Sequence, residues 1–158
     1  MKQQKLLKTI FLISILGIVL SGYLTNLHYT QKASPCDFSK TFSCSLVNQS
    51  KYAEFRGVPV ALFGLGSYFI LGFISLSLWK KFKFTNKKLI KKFVSPKFLL
   101  VLSLAAVLAS FYLTYAEFFL IGAVCVLCLI SQTSVLAIMG LSYKNLKLDL
   151  RGDQNNFS

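Results

Sequence analysis

Four long apolar runs, separated by polar or basic stretches, divide this chain. The first, Leu6 to Leu27, is headed by Lys2, Lys5 and Lys8; Val58 to Trp79 and Phe98 to about Ala116 follow, and the last ends at Leu141. About twenty apolar residues wound as a helix cross the ~30 Å hydrocarbon core of a bilayer. The pattern therefore predicts an all-α integral membrane protein: a four-transmembrane-helix bundle, one domain over residues 1–158, with spans near 6–27, 58–79, 98–116 and 120–141. A signal peptide is the other reading of the first run. Its apolar core would be shorter and would end in a small-x-small cleavage site, whereas this run continues through Tyr23-Leu24-Thr25-Asn26-Leu27.

Between the first two spans, Thr30 to Gly57 turns polar and carries Pro35, which predicts a long exposed loop. Within it, Leu46 to Phe55 mixes apolar with polar positions, as expected of a short helix lying on the membrane surface as a lid. Pro59 suits the first turn of the second span, and Gly64, Gly66 and Gly72 suit close helix contact within it. His28 and Tyr29 fall at the membrane boundary, where anchoring is the simpler role. Glu117 marks a short turn between the third and fourth spans.

Composition changes the picture only through charge. With 54% hydrophobic residues and a net charge of +13, the chain is basic without being soluble in pattern. The lysines do not line a face interleaved with aromatics, so nucleic acid is not an expected partner. They sit between the spans instead: Lys80 to Lys97 holds eight lysines and no acid, the mark of a cytoplasmic loop held to anionic lipid heads. With the basic N-terminus and the tail bearing Lys144, Lys147 and Arg151, this places both termini inside and the polar loop outside. One histidine and five scattered acids offer no metal-ligand cluster, so no metal is expected.

The candidate chemistry lies in the four cysteines. Gly122-Ala-Val-Cys-Val-Leu-Cys-Leu-Ile130 buries Cys125 and Cys128 in an apolar run, at a spacing that on a helix puts both sulfurs on one face. The fourth span enters from the outer side, so this pair sits near its outer end, facing Cys36 and Cys44 in the polar loop. If Gly122 lies in the turn, Cys125 falls in the first helical turn, where free N–H groups favour a thiolate; if the helix starts nearer Phe119, that benefit shrinks. Taken alone, Cys125 and Cys128 are ordinary packing residues, and Cys36 and Cys44 an ordinary structural disulfide. Taken together, a water-exposed pair and a membrane-embedded pair form a relay for thiol–disulfide exchange. Its last acceptor must be a small membrane-soluble oxidant, and a quinone in an apolar pocket between helices fits.

The segments Cys36-Asp-Phe-Ser-Lys-Thr-Phe-Ser-Cys44, Ser45 to Val60, Tyr112-Leu-Thr-Tyr-Ala-Glu117 and Cys125-Val-Leu-Cys128 resemble the vitamin K epoxide reductase family, and the likeness extends from the first span to the fourth. The resemblance implies a four-helix bundle around a quinone, with the helical Cys-x-x-Cys as redox centre and the loop pair shuttling electrons from a thioredoxin-like partner. By position it makes Cys128 the residue beside the quinone and Cys125 the one attacked by a loop cysteine. Cys44 is then the expected attacker and Cys36 the contact with the partner. It also makes Ser50, six residues after Cys44, a hydroxyl that orients the quinone site. Where vertebrate members carry a tyrosine four residues after the second helical cysteine, this chain has Gln132, which argues against specific reduction of vitamin K epoxide. Some bacterial relatives carry a fused thioredoxin-like domain; here little chain follows the fourth span, so the partner is expected as a separate protein.

The expected activity is that of a bacterial inner-membrane dithiol oxidase. It would take electrons from a secreted DsbA-like or thioredoxin-like protein and pass them to ubiquinone or menaquinone, in support of disulfide bond formation. Direction follows from potentials: a DsbA-type partner at about −120 mV is regenerated only by an acceptor at least as oxidising. Two other readings stand beside it, a reductase of vitamin K quinone or epoxide for its own sake, and a non-enzymatic scaffold with a structural loop disulfide.

Overall fold

A computed structural model describes residues 2–39, 41–80 and 95–156. Among them, four helices are long and apolar enough to cross a membrane. Helix α1 runs Lys2–Thr30; a short helix α2, Cys44–Asn48, lies in the loop; α3 is Val60–Trp79, α4 is Pro96–Tyr115 and α5 is Val126–Asn156. Helix α1 packs on α3 and α5, and α4 closes the bundle against both. The chain is thus an all-α, multi-pass membrane protein. The 29 residues of α1 rise about 44 Å at ~1.5 Å each, more than the hydrocarbon core needs. Ser95 starts α4, its hydroxyl accepting the Phe98 N–H at 3.2 Å with Pro96 in the first turn. Helix α5 continues past Leu141, where its apolar run stops, and near its end Asp149 accepts a hydrogen bond from Gln3 at 3.5 Å. That contact brings the N-terminal end of α1 and the C-terminal part of α5 to the same end of the bundle. Most of the lysine-rich stretch between α3 and α4, residues 81–94, lies outside the described residues.

The inner face of α1 does not look like a core in sequence. Leu7, Ile10, Ser14, Gly17, Ser21, Leu24 and His28 are buried in alternating steps of three and four that form one seam of a left-handed helix pair, with Leu27 buried beside its end. The outer face carries the apolar residues: Leu12 and Val19 are 65% and 63% exposed, toward lipid. Small residues let the backbones approach. Gly72 faces Ser14 and Gly64 faces Ser21, as expected of two of the three glycines in α3, whereas Gly66 points into open space. The tightest contact is at Gly17, where a Cβ would lie 2.3 Å from the ring of Tyr68. That ring cannot yield, being buried and tied through its hydroxyl to the Ser131 carbonyl at 2.8 Å. Gly17→Ala is therefore expected to cost about 1–3 kcal/mol through overpacking, seen as a lower melting temperature of the helical signal in detergent. Gly66→Ala should be neutral or stabilising, since an alanine there meets nothing and raises helix propensity.

The loop after α1 is more structured than one lid helix. Helix α2 begins at Cys44 and ends at Asn48, and a single 3₁₀ turn, Lys51–Ala53, follows. Glu54–Phe55 and Val58–Pro59 then pair as a two-residue-strand hairpin, β1 and β2, in place of continued helix. Arg56 and Gly57, at φ 54° and 79°, make its turn, both residues in the left-handed region that such tight hairpins demand. Pro59 caps α3 from just outside rather than lying within its first turn.

Candidate functional site

Cys36 and Cys44 are joined in a disulfide with Cα atoms 5.9 Å apart, and the loop they close is tied from inside by Asp37. One carboxylate oxygen accepts the Ser43 hydroxyl at 2.8 Å and the Ser45 N–H at 3.1 Å; the other accepts the Ser34 N–H at 2.8 Å and the Ser45 hydroxyl. Burial alone would raise the Asp37 pKa, but the hydrogen bonds from Ser45, Ser34 and Ser43 outweigh it and hold the carboxyl well below the usual carboxylate range. A lowered pKa of this kind stabilises the loop fully above the ordinary carboxylate value. The contribution is lost only as pH falls from there toward the lowered one, so the knot persists at neutral and mildly acidic pH.

Two polar contacts then hold α2 against the end of α1, and a third reaches β1. The Asn48 amide donates to the Leu24 carbonyl at 2.6 Å, and Nδ1 of His28 donates to the Asn48 carbonyl at 2.6 Å. Nε2 of the same ring lies 3.3 Å from the Glu54 carboxylate. His28 is thus a buried pin for the loop, which is a more specific role than interface anchor.

The embedded pair is set by how α4 ends. A wide helical turn, Ala116–Ile121, is stopped by Gly122 at φ 70°, whose N–H returns to the Glu117 carbonyl at 3.0 Å. Gly122 therefore lies in the turn, and α5 begins only at Val126. Between them the chain is extended enough for Val124 to pair with Phe42 of the loop, its N–H donating to the Thr41 carbonyl at 2.8 Å. Cys125 stands immediately before α5. Its carbonyl accepts the Leu129 N–H at 3.1 Å, and its sulfur accepts the Cys128 N–H at 3.1 Å, the contact a capping side chain makes with a helix start. The Cys125 N–H in turn donates to Oε2 of Glu117 at 3.2 Å.

These segments bring the four cysteines to one end of the bundle. Cys44 and Cys125 are both fully buried in a cluster with Leu24, Val47 and Ala123, and Cys36 and Cys128 pack against it. Cys125 and Cys128 are free thiols, and both sulfurs and a Glu117 carboxylate oxygen lie within 4.8 Å of one another. The sequence offered no clustered histidines or acids; this grouping of one carboxylate with two thiols arises only on folding, and it is one donor short of the four that close a structural zinc shell.

Beside the cluster lies a cavity of about 190 Å³ between the helices. Its walls are largely apolar, with Leu24, Phe63, Leu71, Ala106, Leu113 and Val135 among them, and its polar groups include Asn48, Tyr52, Thr114, Glu117, Ser131 and Gln132. Cys128 lines it and Cys125 does not. Gln132 accepts a hydrogen bond from the Thr114 hydroxyl, which ties α5 to α4 across the wall. Ser50 is placed otherwise: it is not among the lining residues, and its hydroxyl donates to the Val47 carbonyl at 2.8 Å. Loop residues that do line the cavity include Asn48, two residues earlier, and Tyr52, two residues later. In sequence Glu117 stands as the marker of a turn and the end of a segment that resembles the family, and Asn48 does not stand out. A lone acid between two apolar spans, eight residues before a cysteine, was the available signal for Glu117; an asparagine in a polar loop gives none.

In comparison with known families, the chain matches the model described as the Vitamin K epoxide reductase family over residues 8–143, a range that holds all four cysteines and every cavity residue named above. No curated protein matches it.

Proposed function

Because the chain belongs to the vitamin K epoxide reductase family, whose members carry out membrane thiol and quinone redox chemistry, we propose that it is a quinone-dependent dithiol oxidase of a bacterial inner membrane. It takes electrons from a secreted DsbA-like, thioredoxin-fold protein and delivers them to ubiquinone or menaquinone, so supporting disulfide bond formation. The observation that carries this reading is the packing of a loop disulfide against two free thiols, one of which opens onto an apolar cavity. Both termini are taken as cytoplasmic and the cysteine loop as periplasmic, in keeping with the lysine distribution and the meeting of Gln3 with Asp149.

Each step is an exchange in which one disulfide is reduced as another forms. A thiolate of the partner attacks the Cys36–Cys44 disulfide at Cys36, and the partner's second thiol resolves the mixed disulfide, leaving the loop pair reduced. Cys44 then attacks Cys125 of an oxidised Cys125–Cys128 pair, and Cys128 leaves as a thiolate beside the cavity. Cys36 attacks Cys44 in turn, re-forming the loop disulfide and freeing Cys125. The arrangement seen, with the loop pair joined and the embedded pair free, corresponds to this last state. A quinone bound in the cavity supplies an acceptor for two electrons and two protons. The cavity suits it: apolar walls for the ring, with the Tyr52 hydroxyl and the Gln132 amide N–H available to its oxygens.

Thiol trapping in whole cells tests the reading. When quinone synthesis is blocked, Cys125 and Cys128 should accumulate as thiols, followed by Cys36 and Cys44. A scaffold with one structural disulfide and two packing cysteines would show no change in either pair.

A further inference from the structure

Electrons are only half of the last step. When Cys125 and Cys128 close into a disulfide, two thiol protons must leave, and reduction of a quinone to a quinol takes up two protons. Both events take place at the edge of a cavity with largely apolar walls, where an acid–base group has to be supplied by the protein. Among the described residues, Glu117 is the only carboxylic acid that lines it. It is 3% exposed. One of its oxygens is fixed by the Cys125 N–H at 3.2 Å, and a carboxylate oxygen lies within 4.8 Å of both sulfurs. A carboxylate at this depth is costly to bury, and this one both faces the cavity and touches the segment that carries the reacting thiols.

We propose that Glu117 is the proton-transfer residue of the quinone-reducing step. The inference rests on the dithiol-oxidase reading above and adds a role to a residue outside the relay of cysteines. Glu117 as carboxylate accepts the proton of the Cys128 thiol; the S–S bond forms between Cys125 and Cys128, and the electron pair passes into the quinone. Glu117 as carboxylic acid then releases that proton to a quinone oxygen. The Cys125 proton follows by the same route to the second oxygen. Two S–H bonds are lost, one S–S bond and two O–H bonds are made, and Glu117 ends as it began.

The test separates the two half-reactions in purified full-length protein. For the quinone step, the pre-reduced protein is mixed with a short-chain ubiquinone or menadione, and quinone absorbance is followed in light and heavy water. For the exchange step, the protein with both pairs oxidised is mixed with dithiothreitol, without quinone. Glu117→Gln keeps the size and the oxygen that receives the Cys125 N–H but cannot carry a proton. It should slow the quinone step on the order of 10²-fold or more, whereas exchange, in which the thiols of dithiothreitol supply the protons, should fall far less. Glu117→Asp should recover part of the rate. The unaltered protein should show a solvent isotope effect on the quinone step, which keeps the idea testable even if Glu117→Gln fails to fold. Absence of that isotope effect, or an unchanged quinone step in Glu117→Gln, overturns the proton role. Slowing of both half-reactions to the same extent also overturns it, because Glu117 would then only position Cys125. If the unaltered protein reduces no quinone at all, the failure belongs to the dithiol-oxidase reading.

Discussion

Replacement of Cys128 by serine is expected to reduce quinone reduction to the background rate, whichever dithiol serves as donor. Of the two embedded cysteines, Cys128 is the one lining the cavity; Cys125 is fully buried behind it. A serine of nearly the same shape keeps the helix start but can neither form the disulfide nor pass an electron pair forward, so a small dithiol that bypasses the loop should not restore turnover. The same variant should also accumulate a covalent bridge. With Cys128 gone, Cys125 can attack the loop disulfide but has no neighbour to resolve the product. Cys44 and Cys125 share one buried cluster, whereas Cys36 packs at its margin, so the expected bridge is Cys44–Cys125, detected by mass spectrometry as a peptide joining the loop to α5. A bridge only between Cys36 and Cys125 would reverse the roles assigned to the loop cysteines. Retained turnover in purified protein supplied with quinone would remove the embedded centre altogether.

Loss of either loop cysteine should discriminate between donors by size. Cys36→Ala or Cys44→Ala is expected to slow oxidation of a thioredoxin-fold protein on the order of 10²-fold, because exchange within the molecule, with its high effective molarity, is removed. Dithiothreitol can reach the embedded pair through the membrane region, so its oxidation should fall far less. The comparison is made on one preparation with the two donors and the same quinone. Equal losses with both would mean that the loop pair only holds the structure, and no loss with either would mean that the partner bypasses it.

The number of helices was legible because lipid demands runs of a certain length, and the four apolar runs meet that demand. The rotation of each helix was not. In α1 the residues turned inward include Ser14, Gly17 and Ser21, and those turned outward include Leu12, Ile15 and Val19. A bilayer rewards apolar side chains on the outside as water rewards them on the inside, so hydrophobic periodicity says little about which face is packed. The ends of elements were also hard to read. The hairpin at Arg56-Gly57 needs an arginine in the left-handed region, which no local preference announces. The four cysteines were legible as chemistry from their types and spacing. Their meeting was legible from topology, since both pairs had to lie at the same membrane face. Asn48 was not, because its importance lies in a carbonyl of α1 and a wall of the cavity, both distant in sequence.

The short pairing of Phe42 with Val124 bears on how fast the relay can run. Opening the loop disulfide frees Cys44 to swing, yet the backbone three residues before it remains fastened to the residue preceding Cys125 through the Val124 N–H and Thr41 carbonyl. The tether turns a search through solution into a local reorientation, so the two sulfurs behave as if each were present at the millimolar or higher concentrations typical of short connections. Dilution then leaves transfer between the pairs untouched and slows only the encounter with the secreted partner. The loop is in effect a reagent held captive at its point of use.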